Sequence, residues 1–257
     1  MPVSEGGFVW YEYMATDDAA AVEFYTRVVG WRAEDSGMPG SRYTLLKAGD
    51  RPVAGVMTVP DAKDWPMRWI AHILTQDVDA MAARVAQTGG AIHRPPTDIP
   101  GIGRFAVVAD PQGATFMLFR ADGTPAPDIA PTTPGAIGWH ELHTTDWDAA
   151  FTFYHGLFGW EKSQALDMGP MGTYQLFKHA GADVGAMLNE PQAPAPYWLY
   201  YVSVDNIDEA ATRLSQAGGT LIMPPREVPG GAWVLLATDP QGSMFALLGP
   251  RQAETPS

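Results

Sequence analysis

The stretch Gly138-Trp139-His140-Glu141-Leu142-His143-Thr144-Thr145-Asp146 decides the fold, because a near copy, Val9-Trp10-Tyr11-Glu12-Tyr13-Met14-Ala15-Thr16-Asp17, precedes it at an offset of 129. Each copy alternates in side-chain character with a period of two and ends on a Thr-Asp pair, which reads as a strand running into a helix N-cap. In the strand so predicted, Trp10, Glu12 and Met14 share one face, as do Trp139, Glu141 and His143. His140 points the other way and reads as a packing or surface residue.

Outward from these strands the same order recurs. Val22, Phe24, Tyr25, Val28 and Val29 recur at helical spacing up to Gly30, and three strands follow, from Trp31, around Tyr43 to Lys47 and around Val53 to Val59. A polar connection over Pro60 to Pro66 leads to a second strand, Trp69 to Thr75, and a helix carrying Val78, Met81, Ala82 and Val85 before Gly89-Gly90. Strands near Ala91 to His93, Arg104 to Ala109 and Ala114 to Phe119 complete that module, the last two joined by the turn Asp110-Pro111-Gln112-Gly113.

Residues 121–134 are rich in proline and small polar residues and read as an extended linker. Beyond it Tyr154 repeats Tyr25, Gly159-Trp160 repeats Gly30-Trp31, Gly218-Gly219 repeats Gly89-Gly90, and Asp239-Pro240-Gln241-Gly242 repeats Asp110 to Gly113. Matches spread over a whole half at one offset mark a tandem duplication. The reading is an N-terminal domain over 1–121, a linker over 122–134, a C-terminal domain over 135–250 and a tail over 251–257.

The totals narrow the function. The net charge is -13, from 29 acidic and 16 basic residues, and no basic cluster of the kind that neutralises phosphates occurs. Nucleic acid and anionic membrane are therefore not expected as partners. The absence of cysteine removes disulfides, thiolate nucleophiles and thiolate metal ligands. Neither a signal peptide nor a membrane-spanning apolar run is read, so the expectation is a cytoplasmic protein, monomeric or homodimeric.

With its paired Phe24-Tyr25 and Phe153-Tyr154, the Gly-Trp helix ends, the acidic helix starts at Asp77 and Asp205 and both Asp-Pro-Gln-Gly turns, the chain resembles the vicinal-oxygen-chelate superfamily. That superfamily includes glyoxalase I, extradiol dioxygenases, fosfomycin-modifying enzymes and bleomycin-binding proteins. The resemblance implies an α+β fold of four βαβββ modules, paired so that each half forms a curved mixed sheet around a cavity with helices outside. It also implies where metal-using members carry two histidines and a glutamate. Those positions fall on Trp10, Ile70 and Met117 in one half and on Trp139, Leu199 and Ala246 in the other, with His72 and Tyr201 two residues further along the second-module strands.

Indole, alkyl and thioether groups cannot supply the N and O donors that a divalent ion needs, so no metal and no other cofactor is expected. Two residues apart in one strand, Glu141 and His143 could act together as an acid/base pair, and they are the candidate catalytic residues. Trp10, Glu12, Met14, His72, Met117, Trp139 and Tyr201 are the candidate ligand-binding residues, since aromatic rings offer large area with a polar tip. The leading expectation is a protein that encloses a small apolar or aromatic molecule. The alternatives are a lyase, isomerase or dioxygenase using Glu141 and His143 with or without a divalent metal, and an interaction module without a ligand.

Overall fold

An aspartate sets the start of the first helix. Asp17, in extended backbone, accepts a hydrogen bond from the Ala20 amide, and Gly30, at φ 86°, closes the other end with its N–H on the Thr26 carbonyl. Between these caps lies α1, Asp18–Val29, which buries Ala21, Phe24, Tyr25, Val28 and Val29. In the computed structural model, which describes residues 4–38, 42–59, 69–123 and 129–251, this helix belongs to the first of four modules of strand, helix and three strands.

The first module comprises β1 (Phe8–Ala15), α1, β2 (Arg32–Asp35), β3 (Tyr43–Ala48) and β4 (Arg51–Thr58). The second comprises β5 (Trp69–Leu74), α2 (Val78–Gln87), β6 (Ala91–Ile99), β7 (Gly103–Ala109) and β8 (Thr115–Ala121). In the third are β9 (Ile137–Thr144), α3 (Trp147–Phe158), β10 (Glu161–Asp167), β11 (Thr173–His179) and β12 (Ala182–Asn189), with a 3-10 turn at Gly169–Met171. The fourth holds β13 (Tyr197–Ser203), α4 (Ile207–Gln216), β14 (Thr220–Glu227), β15 (Trp233–Thr238) and β16 (Met244–Gly249). The α+β duplication read from the sequence is the observed architecture. The connection read over Pro60 to Pro66 lies outside the described residues, as do parts of the linker and tail.

Two mixed sheets of eight strands result, in the orders β2-β3-β4-β1-β5-β8-β7-β6 and β10-β11-β12-β9-β13-β16-β15-β14, and neither closes into a barrel. Within each module the last strand lies parallel to the first, so Glu12 stands opposite Gly55, His72 opposite Met117, Glu141 opposite Ala186 and Tyr201 opposite Ala246. The helical crossover makes that pairing parallel, and the two hairpins that follow are antiparallel.

The chain also divides into two compact units. One holds residues 1–10, 70–128 and 140–199, and the other holds 11–69, 129–139 and 200–257. The first therefore takes most of the second and third modules, and the second takes most of the first and fourth. In the first unit Tyr154 stacks on Trp160, which stacks on Phe177, while the Tyr154 hydroxyl donates to Asp110 and accepts from the Trp198 indole. In the second, Tyr25 occupies the cognate place, donating to Asp239 and accepting from the Trp69 indole, and Tyr13 donates to the same carboxylate. Tyr25, Tyr154, Trp69 and Trp198 are core residues. The cap of α4 differs from the reading, being Asn206 and not Asp205, because the Asn206 side chain accepts from the amides of Asp208 and Glu209.

Candidate functional site

Tyr13 turns toward Tyr25 of α1, so its strand neighbours Glu12 and Met14 turn away from the helix. The same alternation in β11 sends Phe177 to the Trp160 stack and Tyr174 to the opposite face. On that face Tyr43 donates to Glu12 at 3.1 Å, and in the later half Tyr174 donates to Glu141 Oε2 at 2.6 Å. A tyrosine–glutamate pair is thus built twice, from equivalent strands.

In the later half the pair belongs to a larger hydrogen-bonded cluster. The other Glu141 oxygen accepts from His143 Nε2 at 2.7 Å, and His143 Nδ1 meets Glu190 Oε2 at 2.5 Å. Glu190 lies directly after β12 and accepts from the Tyr197 hydroxyl at 3.0 Å, and the Tyr197 ring stacks on the imidazole at 4.5 Å and 7°. With a carboxylate on each ring nitrogen, both nitrogens serve as donors, which only the imidazolium can do. Burial opposes that charge, but the hydrogen bonds to Glu141 and Glu190 and their negative charge outweigh it, and the His143 pKa is raised to about 9. The hydrogen bond from His143 in turn holds the Glu190 carboxyl below its usual range. Burial and the neighbouring Glu190 push the Tyr197 phenol up, so it remains a donor.

Glu141 and His143 are only 6% and 7% exposed, whereas the Glu190 side chain is 41% exposed. His143 is therefore a buried link between a buried carboxylate and one that reaches solvent. His140 is likewise buried, its ring stacked on Phe8 at 3.7 Å and its Nδ1–H donating to the Val184 carbonyl.

Of the other candidates, His72 is buried opposite Met117, its ring edge-on to Phe119. Met14 is buried two residues beyond Glu12, where the later half has His143. Trp10 and Trp139 are half-buried on their strands, and Tyr201 is buried opposite Ala246. Glu190, Tyr174 and Tyr197 were not among the sequence candidates. The signal that could have found Glu190 is the twin comparison, which sets Val59 in its place.

The residues present do not fit the divalent metal that the fold's metal-using members carry. Trp10, Ile70 and Met117, and Trp139, Leu199 and Ala246, offer no suitable donor, and both nitrogens of His143 are committed to carboxylates. Among the described residues no group of three or more His, Asp or Glu side chains could hold a metal ion. No described helix is long and apolar enough to cross a membrane.

Residues 7–118 and 136–247 each match the model of the Glyoxalase/Bleomycin resistance protein/Dioxygenase superfamily, and the chain belongs to that family. It is 31% identical over 246 residues to "Putative glyoxylase CFP32" of Mycobacterium tuberculosis, covering 94% of each chain. It is also 31% identical to "Anthracycline biosynthesis protein DauV" of Streptomyces sp. strain C5, with 96% of this chain and 94% of that one covered. Among solved structures it resembles 2,2',3-trihydroxybiphenyl 1,2-dioxygenase of Sphingomonas wittichii strain RW1, with a TM-score of 0.67, 14% identity and 97% and 91% of the two chains covered. The Mn(II)-bound glyoxalase of Novosphingobium aromaticivorans matches with a TM-score of 0.64 at 20% identity, over 98% and 83%. At these identities the structural likeness speaks for the fold alone.

Proposed function

We propose that the protein binds a small apolar or aromatic molecule on the strand face that carries Glu141 and His143, without a metal or other cofactor. The observation that carries this reading is the pairing of apolar side chains at the family's metal positions with a hydrogen-bonded polar cluster beside them on one strand. Apolar walls with a few fixed polar groups are the usual composition of a small-molecule site. One relative has anthracycline biosynthesis in its name, and an anthracycline is an aromatic ring system of this chemical kind. The charge of -13 supports a reading without nucleic acid or anionic membrane partners, and a cytoplasmic monomer or homodimer completes it.

The test is titration with the neutral fluorophore N-phenyl-1-naphthylamine, together with elemental analysis of protein purified without added ions. The expected result is saturable uptake that dialysis against a chelator leaves unchanged, weakened about two- to tenfold in Trp139→Ala. A stoichiometric, tightly held divalent metal, or the absence of saturable uptake, overturns the reading.

The 2.7 Å contact between Glu141 and His143 favours a second reading, an enzyme using the two as an acid/base pair. His143 then serves as the acid, because it is protonated through neutral pH. Turnover that survives both Glu141→Gln and His143→Asn eliminates it.

A further inference from the structure

We infer that Glu190 is a positioning residue, which holds His143 as an imidazolium so that a ligand meets Glu141 in one charge state throughout the neutral pH range. The inference rests on the ligand reading above and adds to it a residue that neither strand alternation nor the family's site positions point to.

The two halves make the argument by acting as controls for each other. Val59 donates its amide to the Ala15 carbonyl at 2.8 Å, and Glu190 donates its amide to the Thr144 carbonyl at the same distance, so the two residues are structural cognates. Met14 and His143 are cognates one position back along β1 and β9. Both halves keep the tyrosine–glutamate pair, Tyr43 with Glu12 and Tyr174 with Glu141. The apolar pair Met14 and Val59 is thus exchanged as a unit for the ionic pair His143 and Glu190. A buried imidazolium needs compensating charge, and a carboxylate on each nitrogen supplies it.

Among the described residues, charged and titratable groups reach the ring from Glu141 on its own strand, Glu190 after β12, Tyr197 on β13, and Tyr174 of β11 acting through Glu141. Tyr197 holds Glu190 in place twice over, donating to its Oε2 and stacking on the imidazole that Oε2 contacts. Because Glu190 is partly exposed, it can exert this hold while remaining replaceable without opening the core.

The experiment is an NMR pH titration of the His143 ring in wild type, Glu190→Gln and Glu190→Asp, alongside binding of 1-naphthylmethylamine from about pH 6 to about pH 8. In Glu190→Gln the proton affinity of His143 is expected to fall at least about tenfold. Probe binding, flat with pH in wild type, is expected to acquire a step at the lowered midpoint, and Glu190→Asp to restore part of both. In the N-terminal half, the imidazole introduced by Met14→His is expected to gain proton affinity when Val59→Glu is added. An unchanged His143 midpoint in Glu190→Gln, or a lowered midpoint with binding still flat, overturns the inference. Wild-type protein that takes up neither naphthalene probe removes the ligand reading instead, and with it the part of the inference that concerns the ligand, while the titration decides whether Glu190 holds His143.

Discussion

His140 and His143 lie three residues apart on one strand, and their surroundings move their proton affinities in opposite directions. Burial lowers the His140 pKa to about 4, whereas the two carboxylates hold His143 at about 9. A histidine whose folded pKa lies above the unfolded value of about 6.5 contributes stability that is complete below that value and is lost as pH rises through the folded pKa. For His143 the loss falls between about pH 6.5 and pH 9 and amounts to about 3 kcal/mol. His140 has the opposite sign, its contribution being complete above about pH 6.5 and lost as pH falls through about 4. Glu190, held below the carboxylate range, also loses its contribution on acidification. Urea denaturation at increasing alkaline pH should therefore show declining stability in wild type and a flatter curve in the double variant His143→Met, Glu190→Val, which copies the N-terminal half. An equal alkaline decline in both proteins would remove His143 as its source. The Glu141–His143 pairing was legible in the sequence, because period two alone puts neighbours-but-one on a common face. Glu190 and Tyr174 were not, since they lie 47 and 33 residues from the residues they contact and only strand pairing brings them close.

The elements show a similar division between what sequence discloses and what folding adds. Both Asp-Pro-Gln-Gly segments are turns, as read, with Asp110 accepting from the amides of Gln112, Gly113 and Ala114. The glutamine role was not legible, because its partners lie in another module. Gln112 accepts from Thr144, Thr145 and Asp146 and donates back to the Asp146 carbonyl, and Gln241 treats Thr16 and Asp17 likewise. Each glutamine thus seats the N-cap residue of a helix, α3 in one unit and α1 in the other. Gln112→Ala and Gln241→Ala should each cost about 1–2 kcal/mol, with faster amide exchange confined to the first turn of the helix concerned. Loss of protection throughout the unit would mean that the glutamines do more than cap. The strand expected near Ala91 to His93 instead runs to Ile99, through Pro95 and Pro96. It can do so because β6 is the last strand of its sheet and its register shifts twice, so the missing amides leave no inner ladder broken.

At the scale of the whole molecule, the repeat and the order of elements were readable, since they depend on local pattern. The grouping of modules into compact units was not, since it depends on contacts between segments far apart in the chain. Those separations differ sharply between the units. In one, Gln112 and Asp110 reach partners 34 and 44 residues away. In the other, Gln241 and Asp239 reach partners 224 and 214 residues away. Closing the longer loop costs more chain entropy and delays contact formation. Pulse-labelled hydrogen exchange during refolding should therefore protect α3 before α1, and simultaneous protection of both would argue against the separation of the two steps. The same Asp-Pro-Gln-Gly turn, used twice, also sets a timetable for synthesis. A ribosome releases Asp110 shortly before Tyr154, but it releases Tyr13 and Tyr25 more than two hundred residues ahead of Asp239. The first module thus carries two phenols whose shared acceptor is made more than two hundred residues later. Translation that stalls before that turn leaves the first module without its partner, and so exposed to proteases and to association with other chains.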